Sequence, residues 1–443
     1  MGLQDLQRIL EQHRILPVLS EQLTSDNHCY LVGGAIRDAL QNRSSCDYDF
    51  ATPDDPTDLA RSLASALKGA WFMLDESRRQ SRVVVGQGPE RFTCDFAPFR
   101  ATDLDGDLQL RDFTINAMAM PVRRSGRLGT LYDPLGGEKD LNGGLLRCCS
   151  GQVLLDDPLR VLKGLRHCLY LHLEIEPGTL KAMYQAAPCL VKVAPERIRG
   201  ELAALFAFKP ARRGLQRLQE LELLEPLFGV AGASVTLSSG LNLLDRSESW
   251  QDYLLQADDS KGLADFFSQD LEQDISNAVA FKLAAWMGGV GIEAPATVLE
   301  KLRCSRNLQR AVTCLLSLDQ GQVNQLLQLP DLSRSRALWA EDLGSHPELA
   351  ICFLGLLMEV SFAESANLLL PVLRDLQQCR VQGRVPGLVT GRWLEKELQI
   401  KGQEVGNYLA ALRKEEIAGR VLNSRQAEQF LLQLRNVEGQ KND

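Results

Sequence analysis

No two of the eleven cysteines are spaced as a CxxC pair, and apart from the neighbours Cys148 and Cys149 they fall singly. The five histidines are not grouped at ligand spacing either, so a zinc site has no support and free, mostly buried thiols are expected. Long apolar runs are missing as well: Leu349 to Met358 is too short to cross a bilayer. The N-terminus lacks a charged-then-apolar leader pattern. These absences predict a cytoplasmic protein with no membrane association, and nothing implies a protein partner. Positive charge is in deficit, with 49 Lys and Arg against 57 Asp and Glu and a net charge of −8. On average that argues against a nucleic-acid partner. Locally it does not. Lys192, Arg197, Arg199, Lys209, Arg212, Arg213 and Arg217 are offset nearby only by Glu196 and Glu201, a cluster that suits phosphates or a solvated helix face.

A chain of 443 residues exceeds one ordinary core, and about two to four units are expected. Leu3 to Leu23 has the spacing of one amphipathic helix, with Pro17 as its break or kink. Short β-rich runs follow: Tyr30–Val32, Asp47–Ala51, Trp71–Leu74, Arg82–Gly86, Arg91–Phe96 and Leu128–Tyr132. One helix is expected after the first strand and another over Pro56–Leu67. From Asp156 onward the pattern is helical. Asp156, Asp157 and Pro158 predict a helix start with capping carboxylates. The fold class is α+β: a mixed sheet with few helices, followed by an all-α body.

Several segments carry chemistry. In YLVGGAIRDAL, Gly33 and Gly34 end a strand and open a helix, leaving backbone N–H groups accessible to phosphate, with Arg37 about one turn in. A tight structural turn explains this segment equally well. In SCDYDFAT, Asp47 and Asp49 alternate on a strand and so share a face. Two such carboxylates repel unless a cation lies between them, and oxygen-only ligands suit Mg2+ completed by substrate phosphates. Solvent-facing edge aspartates are the alternative. Asp95, in RFTCDFAPF, is the candidate third carboxylate for a two-metal site, or else a salt-bridged strand residue. In LRDFTINAMAM, Arg111 can reach a triphosphate, and Thr114 and Asn116 offer neutral hydrogen bonds. The turn YDPLGG, Tyr132 to Gly137, is structural or supportive.

The last is DDPLRVLKGLRH. Asp157 and Arg160, three apart, place an acceptor beside a donor. Cytosine presents an amino donor beside the N3 acceptor, and adenine an amino donor beside N1. The pair therefore matches C or A and mismatches U and G, with no template strand. A helix cap with a surface ion pair, worth about 0.5 kcal/mol, is the plainer alternative.

In this order, LVGGAIRD, the DYD pair, RDFTINAMAM, DPLGG, DDPLR and PERIRGEL resemble the bacterial-type (class II) tRNA nucleotidyltransferase and poly(A) polymerase family. A weaker similarity runs over Val389–Leu431. The resemblance implies a nucleotidyltransferase palm over 1–149, a helical neck with the base-recognition motif over 150–230, a body over 231–383 and a tail over 384–443. It implies metals at Asp47, Asp49 and Asp95, a nucleotide held by Gly33, Gly34, Arg37, Arg111, Asp157, Arg160 and Lys163, and CTP and/or ATP transferred to a tRNA 3′ end with Mg2+. A poly(A) polymerase and an inactive RNA-binding relative are the alternatives. Three features depart from the family pattern. Lys163 replaces a usual second arginine, Leu110 precedes Arg111 where many members have arginine, and the connection from Arg100 to Arg111 is short. In this family the corresponding loop is associated with the switch from C to A addition, and members lacking it include CC-adding enzymes. No His-Asp dipeptide of the phosphohydrolase relatives occurs.

Overall fold

The computed structural model describes residues 2–23, 28–230, 234–257, 262–382 and 387–439. The expected boundaries at 231 and 384 lie outside these residues. The chain forms two compact units, Met1–Glu201 and Leu202–Asp443.

In the first unit the N-terminal segment is two helices, α1 (Leu3–Gln12) and α2 (Ile15–Gln22), rather than one. The break is at Arg14, whose φ is +57°, and not at Pro17. Pro17 sits in the first turn of α2, where a missing N–H removes no helical hydrogen bond. There follow β1 (Tyr30–Val32), α3 (Gly34–Leu40), β2 (Asp47–Thr52), α4 (Thr57–Leu67), β3 (Ala70–Asp75), β4 (Gln80–Val85), β5 (Phe92–Pro98), α5 (Leu104–Gln109) and β6 (Ala119–Pro121). The strands make one six-stranded sheet in the order β3-β4-β5-β2-β1-β6, in which only β2 and β5 pair in parallel. The expected strand Leu128–Tyr132 is not one; it touches the sheet through isolated bridges, Leu128 to Val122 and Tyr132 to Ala119. β6, by contrast, lies inside a segment read only as a motif.

Strand period two sorts the sheet into two faces. Tyr48, Phe50, Val83, Cys94 and Phe96 turn inward against Leu6, Leu10, Leu16, Ile36 and Leu63 of α1 to α4, forming the main core. The opposite face is left for polar groups. Beyond α6 (Gly137–Asn142), helices α7 (Gly151–Asp156), α8 (Leu159–Leu171) and α9 (Pro177–Ala186) follow in the same unit. α8 approaches closely at Gly164, where a Cβ would lie 2.3 Å from Met183 and 2.8 Å from Phe113. That contact fixes the helix carrying Arg160 and Lys163 to the segment carrying Arg111.

Among its described residues the second unit is built of helices, with one short strand pair, Asp270–Glu272 and Ile275–Ser276. Its longest helix, Ser234–Ala257, packs on Asn277–Val290 through an approach of Gly289 to Gly240, and Trp250 and Trp286 are fully buried. Residues from Val389 to Leu431 close their own apolar cluster around Leu394, Leu412 and Ala427. Among the described residues no helix is long and apolar enough to cross a membrane.

Candidate active site

The alternation of β2 that buries Tyr48 and Phe50 puts Asp47 and Asp49 on the opposite, open face. The parallel register sets Asp49 beside Asp95, and the next pairing sets Asp95 beside Arg82. Each carboxylate has a different environment. Asp47 accepts from the Thr93 hydroxyl. Asp95 accepts from Arg82 Nε and Nη2, both at 2.7 Å, so the salt-bridged alternative for this residue is present alongside its place in the row. Asp49 keeps an exposed edge on the open face, although much of the protein packs around its carboxyl. Burial therefore pushes its carboxyl pKa up to about 6, opposed by Arg111 and reinforced by Asp95 and Asp47. Among the described residues no three acidic, cysteine or histidine side chains are grouped to hold a metal. Asp47 and Asp49 remain as a two-carboxylate, oxygen-only donor set that substrate phosphates would complete, and this fits a hard divalent cation.

The raised pKa has a testable sign. A folded-state value near 6 against an ordinary 3.8 favours the protonated carboxyl in the native protein. The resulting stability is complete below about pH 4 and is lost as pH rises through 6. Asp49→Asn, which cannot ionise, is therefore expected to melt above the metal-free parent at pH 7.5, with the gap closing by pH 4. Melting curves across that range check it; a lower-melting variant at pH 7.5 contradicts the assignment.

β1 ends at Gly33, with φ +79°. A Cβ there would lie 3.2 Å from Arg111 Nη1 and 3.3 Å from Asp49 Oδ2, so a side chain would intrude between the carboxylate and the guanidinium. Arg37 on α3 is held by Asp38 Oδ1, which accepts from its Nε and Nη2 at 2.9 and 2.7 Å, and by Asn116 Oδ1 at 2.6 Å. Asn116 Nδ2 in turn donates to Asp112 at 3.1 Å and lies 3.4 Å from His167. Burial, with Arg37 adding to it against Asp112, pushes the His167 pKa down to about 3 and keeps the ring neutral. The YDPLGG turn supports this set from behind. Asp133 accepts from the N–H groups of Gly137 and Glu138 at 2.7 and 2.9 Å. A Cβ on Gly137 would sit 2.1 Å from the Thr114 carbonyl.

The connection from Arg100 to Arg111 holds a short helix, α5, capped by Asp103 through Gly106 N–H at 2.8 Å. Buried Asp107 accepts from Arg100 Nε at 3.1 Å and from Arg111 Nη2 at 3.2 Å. Burial alone would raise its pKa, but the two guanidiniums outweigh that and hold it low.

Asp157 does not N-cap α8. It closes α7 in an extended conformation, Pro158 leads into α8, and the carboxylate pairs with Arg197 Nη2 at 2.9 Å. Arg160 Nη1 donates to the carbonyls of Val153 and Leu110, each at 3.2 Å. Both residues line a cavity of about 730 Å³ together with Arg78, Arg79, Arg100 and Arg197. A second cavity, about 380 Å³, is lined by Asp49, Asp95, Asp107, Arg111 and Lys163, and Gln80, Pro98 and Arg100 border both. The structure thus brings Asp49, Asp95, Arg111 and Lys163 around one space, with Gly33 against Asp49 and Arg111, and Asp157 and Arg160 around the next, while Asp47, Gly34 and Arg37 line neither. Sequence reasoning gave no site role to Arg82, Arg100 or Asp107, and placed Arg197 only in the basic cluster suited to phosphates. Only strand register or chain closure brings them there.

Comparison with known proteins shows what the chain is similar to. Residues 29–147 match the profile of the "Poly A polymerase head domain", and residues 172–231 that of the "Probable RNA and SrmB- binding site of polymerase A". The chain is 34% identical over 293 residues to a CC-adding tRNA nucleotidyltransferase of Geobacter sulfurreducens, covering 64% of this chain and 66% of that one. It is 43% identical over 200 residues to an A-adding tRNA nucleotidyltransferase of Deinococcus radiodurans, covering 44% of each. The matches thus span between about half and two thirds of these relatives' lengths. A CCA-adding enzyme in its apo form shares the fold with a TM-score of 0.68 at 20% identity, over 96% of this chain and 94% of that one.

Proposed function

Because the chain belongs to the nucleotidyltransferase family built on the poly A polymerase head domain, we propose that it adds C and/or A to the 3′ end of tRNA, in the cytoplasm. The observation that carries this reading is the row Asp49–Asp95 on the open sheet face beside Asp47, with Gly33 leaving the space between Asp49 and Arg111 free of a side chain. Family members in general use a divalent metal, and for this chain we assign Mg2+ to Asp47 and Asp49, with Asp95 joining when Arg82 yields it. When bound, the metal supplies charge neutralisation at the phosphates and acidifies the attacking hydroxyl.

In the reaction, the RNA 3′-oxygen forms a bond to the α-phosphorus as the bond to the bridging oxygen breaks, and pyrophosphate departs. The chain's own residues position the partners. Arg37, fixed by Asp38 and Asn116, and Arg111, fixed by Asp107, offer aligned guanidiniums to the triphosphate with Gly33, Gly34 and Lys163. Asp157 and Arg160 face the base. Their present partners, Arg197 and two carbonyls, satisfy them until a base replaces those bonds. Labelled CTP and ATP offered to tRNA transcripts ending before, within and after CC test the reading. No incorporation at any end overturns it, and long homopolymeric A tails would favour the poly(A) polymerase alternative.

The base reader has its own test. Asp157→Ala is expected to raise UTP incorporation relative to CTP by roughly tenfold or more, the loss of about one good hydrogen-bonding discrimination. Arg197 is exposed and the lost ion pair contributes little stability, so melting should move by only a few degrees. An unchanged UTP/CTP ratio defeats the assignment.

A further inference from the structure

The row of register partners that holds Asp49 and Asp95 does not stop at Arg82. It runs on to Phe72 at the sheet edge, in the order Asp49, Asp95, Arg82, Phe72 across β2, β5, β4 and β3. Phe72 is 51% exposed, and so is Leu74, two residues on along the same face. Trp71 and Met73 turn to the other face, where the Arg61 guanidinium of α4 lies 4.5 Å from the Trp71 ring. Edge strands ordinarily carry charge on exposed positions to deter pairing. β3 instead presents an aromatic ring and a leucine, and Leu74 lines the same cavity as Asp49 and Asp95. At the common strand spacing Phe72 stands about 10 Å from Asp95, within reach of a short stretch of extended single strand. Arg82, next in the row, pairs with Asp95, and Arg78 and Arg79 on the turn after β3 pair with Asp75 and Asp55, so the patch itself is apolar and locally charge-balanced.

We propose that Phe72 and Leu74 form a stacking platform for the last bases of the acceptor RNA, holding its 3′ end over the carboxylate row. The inference rests on the nucleotidyl-transfer reading above and adds the primer subsite to it. The incoming base is assigned the separate cavity at Asp157 and Arg160. A base on an exposed aromatic ring at a sheet surface is a recurrent and sequence-tolerant way to hold a single strand. It suits a primer end whose terminal base changes as synthesis proceeds.

The test uses the full chain and a tRNA transcript carrying 2-aminopurine as its 3′-terminal nucleotide. Phe72→Ala is expected to weaken binding of this RNA roughly ten- to hundred-fold and to abolish the fluorescence change on binding, with CTP affinity and melting temperature unaltered. Phe72→Tyr should restore both. Cutting the transcript back by its single-stranded end should weaken parental binding and erase the difference between parent and Phe72→Ala. Unchanged RNA affinity and fluorescence in Phe72→Ala overturn the platform. So does a parental dimer that Phe72→Ala converts to monomer, because a second copy would then cover β3. A parental chain that incorporates nothing into any RNA overturns the underlying reading, whereas normal parental incorporation with an indifferent Phe72→Ala removes the platform alone.

Discussion

Asp47→Ala and Asp49→Ala are each expected to lower nucleotide incorporation by at least about a thousand-fold, or roughly 4 kcal/mol of transition-state stabilisation. The fold should remain. Neither side chain belongs to the apolar core, which lies on the other face with Tyr48 and Phe50. Removing Asp49 also relieves the burial that raises its pKa and the repulsion from Asp95 and Asp47. Lost activity together with unchanged or higher metal-free stability is what a functional carboxylate predicts and a structural one does not. Single-turnover incorporation of labelled CTP with Mg2+, run beside circular-dichroism melts, provides both readouts. A variant within tenfold of the parent would remove these residues from the chemistry.

How much of this was legible beforehand follows the range of each signal. The Asp47–Asp49 pair on one face needs only the two-residue period of a strand, and β2 obeys it. The glycine turn before α3 and the helix Thr57–Leu67 likewise rest on neighbours in sequence. Arg82 was not legible, because its bond to Asp95 depends on the pairing register of β4 with β5, which no local pattern states. Asp107 was hidden for a similar reason. Its neighbours Asp103, Asp105 and Gly106 suggest a polar turn, whereas closure of the chain buries it between Arg100 and Arg111. Asp157 misled in the other direction. A carboxylate before proline has the form of a helix cap, but the extended backbone between α7 and α8 turns it toward Arg197. Arg14 gives no local cue at all, since a left-handed arginine between two helices is set by their packing.

The same closed connection bears on which nucleotides are added. A pocket that accepts C twice and then A must change shape between steps, and in the family a mobile loop is associated with that change. Here the corresponding stretch is Ala101 to Leu110, and much of it is taken up by α5. Its two flanks are fastened to one point, since Arg100 and Arg111 both donate to the buried Asp107 carboxylate. Swinging the stretch as a lever would break charge-assisted bonds at a buried acid, which typically contribute about 1.5–3 kcal/mol each. Leu108 adds an apolar anchor, fully buried against Val32, Ala51, Ala117 and Ala119. The local structure therefore favours one pocket shape, and efficient CC addition followed by a poor or missing final A is expected. In single-turnover assays, ATP addition to a tRNA ending in CC should be at least about a hundred-fold slower than CTP addition to the two shorter ends, or about 2.7 kcal/mol. Because the chain resembles both a CC-adding and an A-adding relative, the opposite result is informative. Rapid ATP addition to the CC end, with little CTP addition elsewhere, would make the pinned pocket an A-specific one, and rapid addition of both would move the switch to the helical unit.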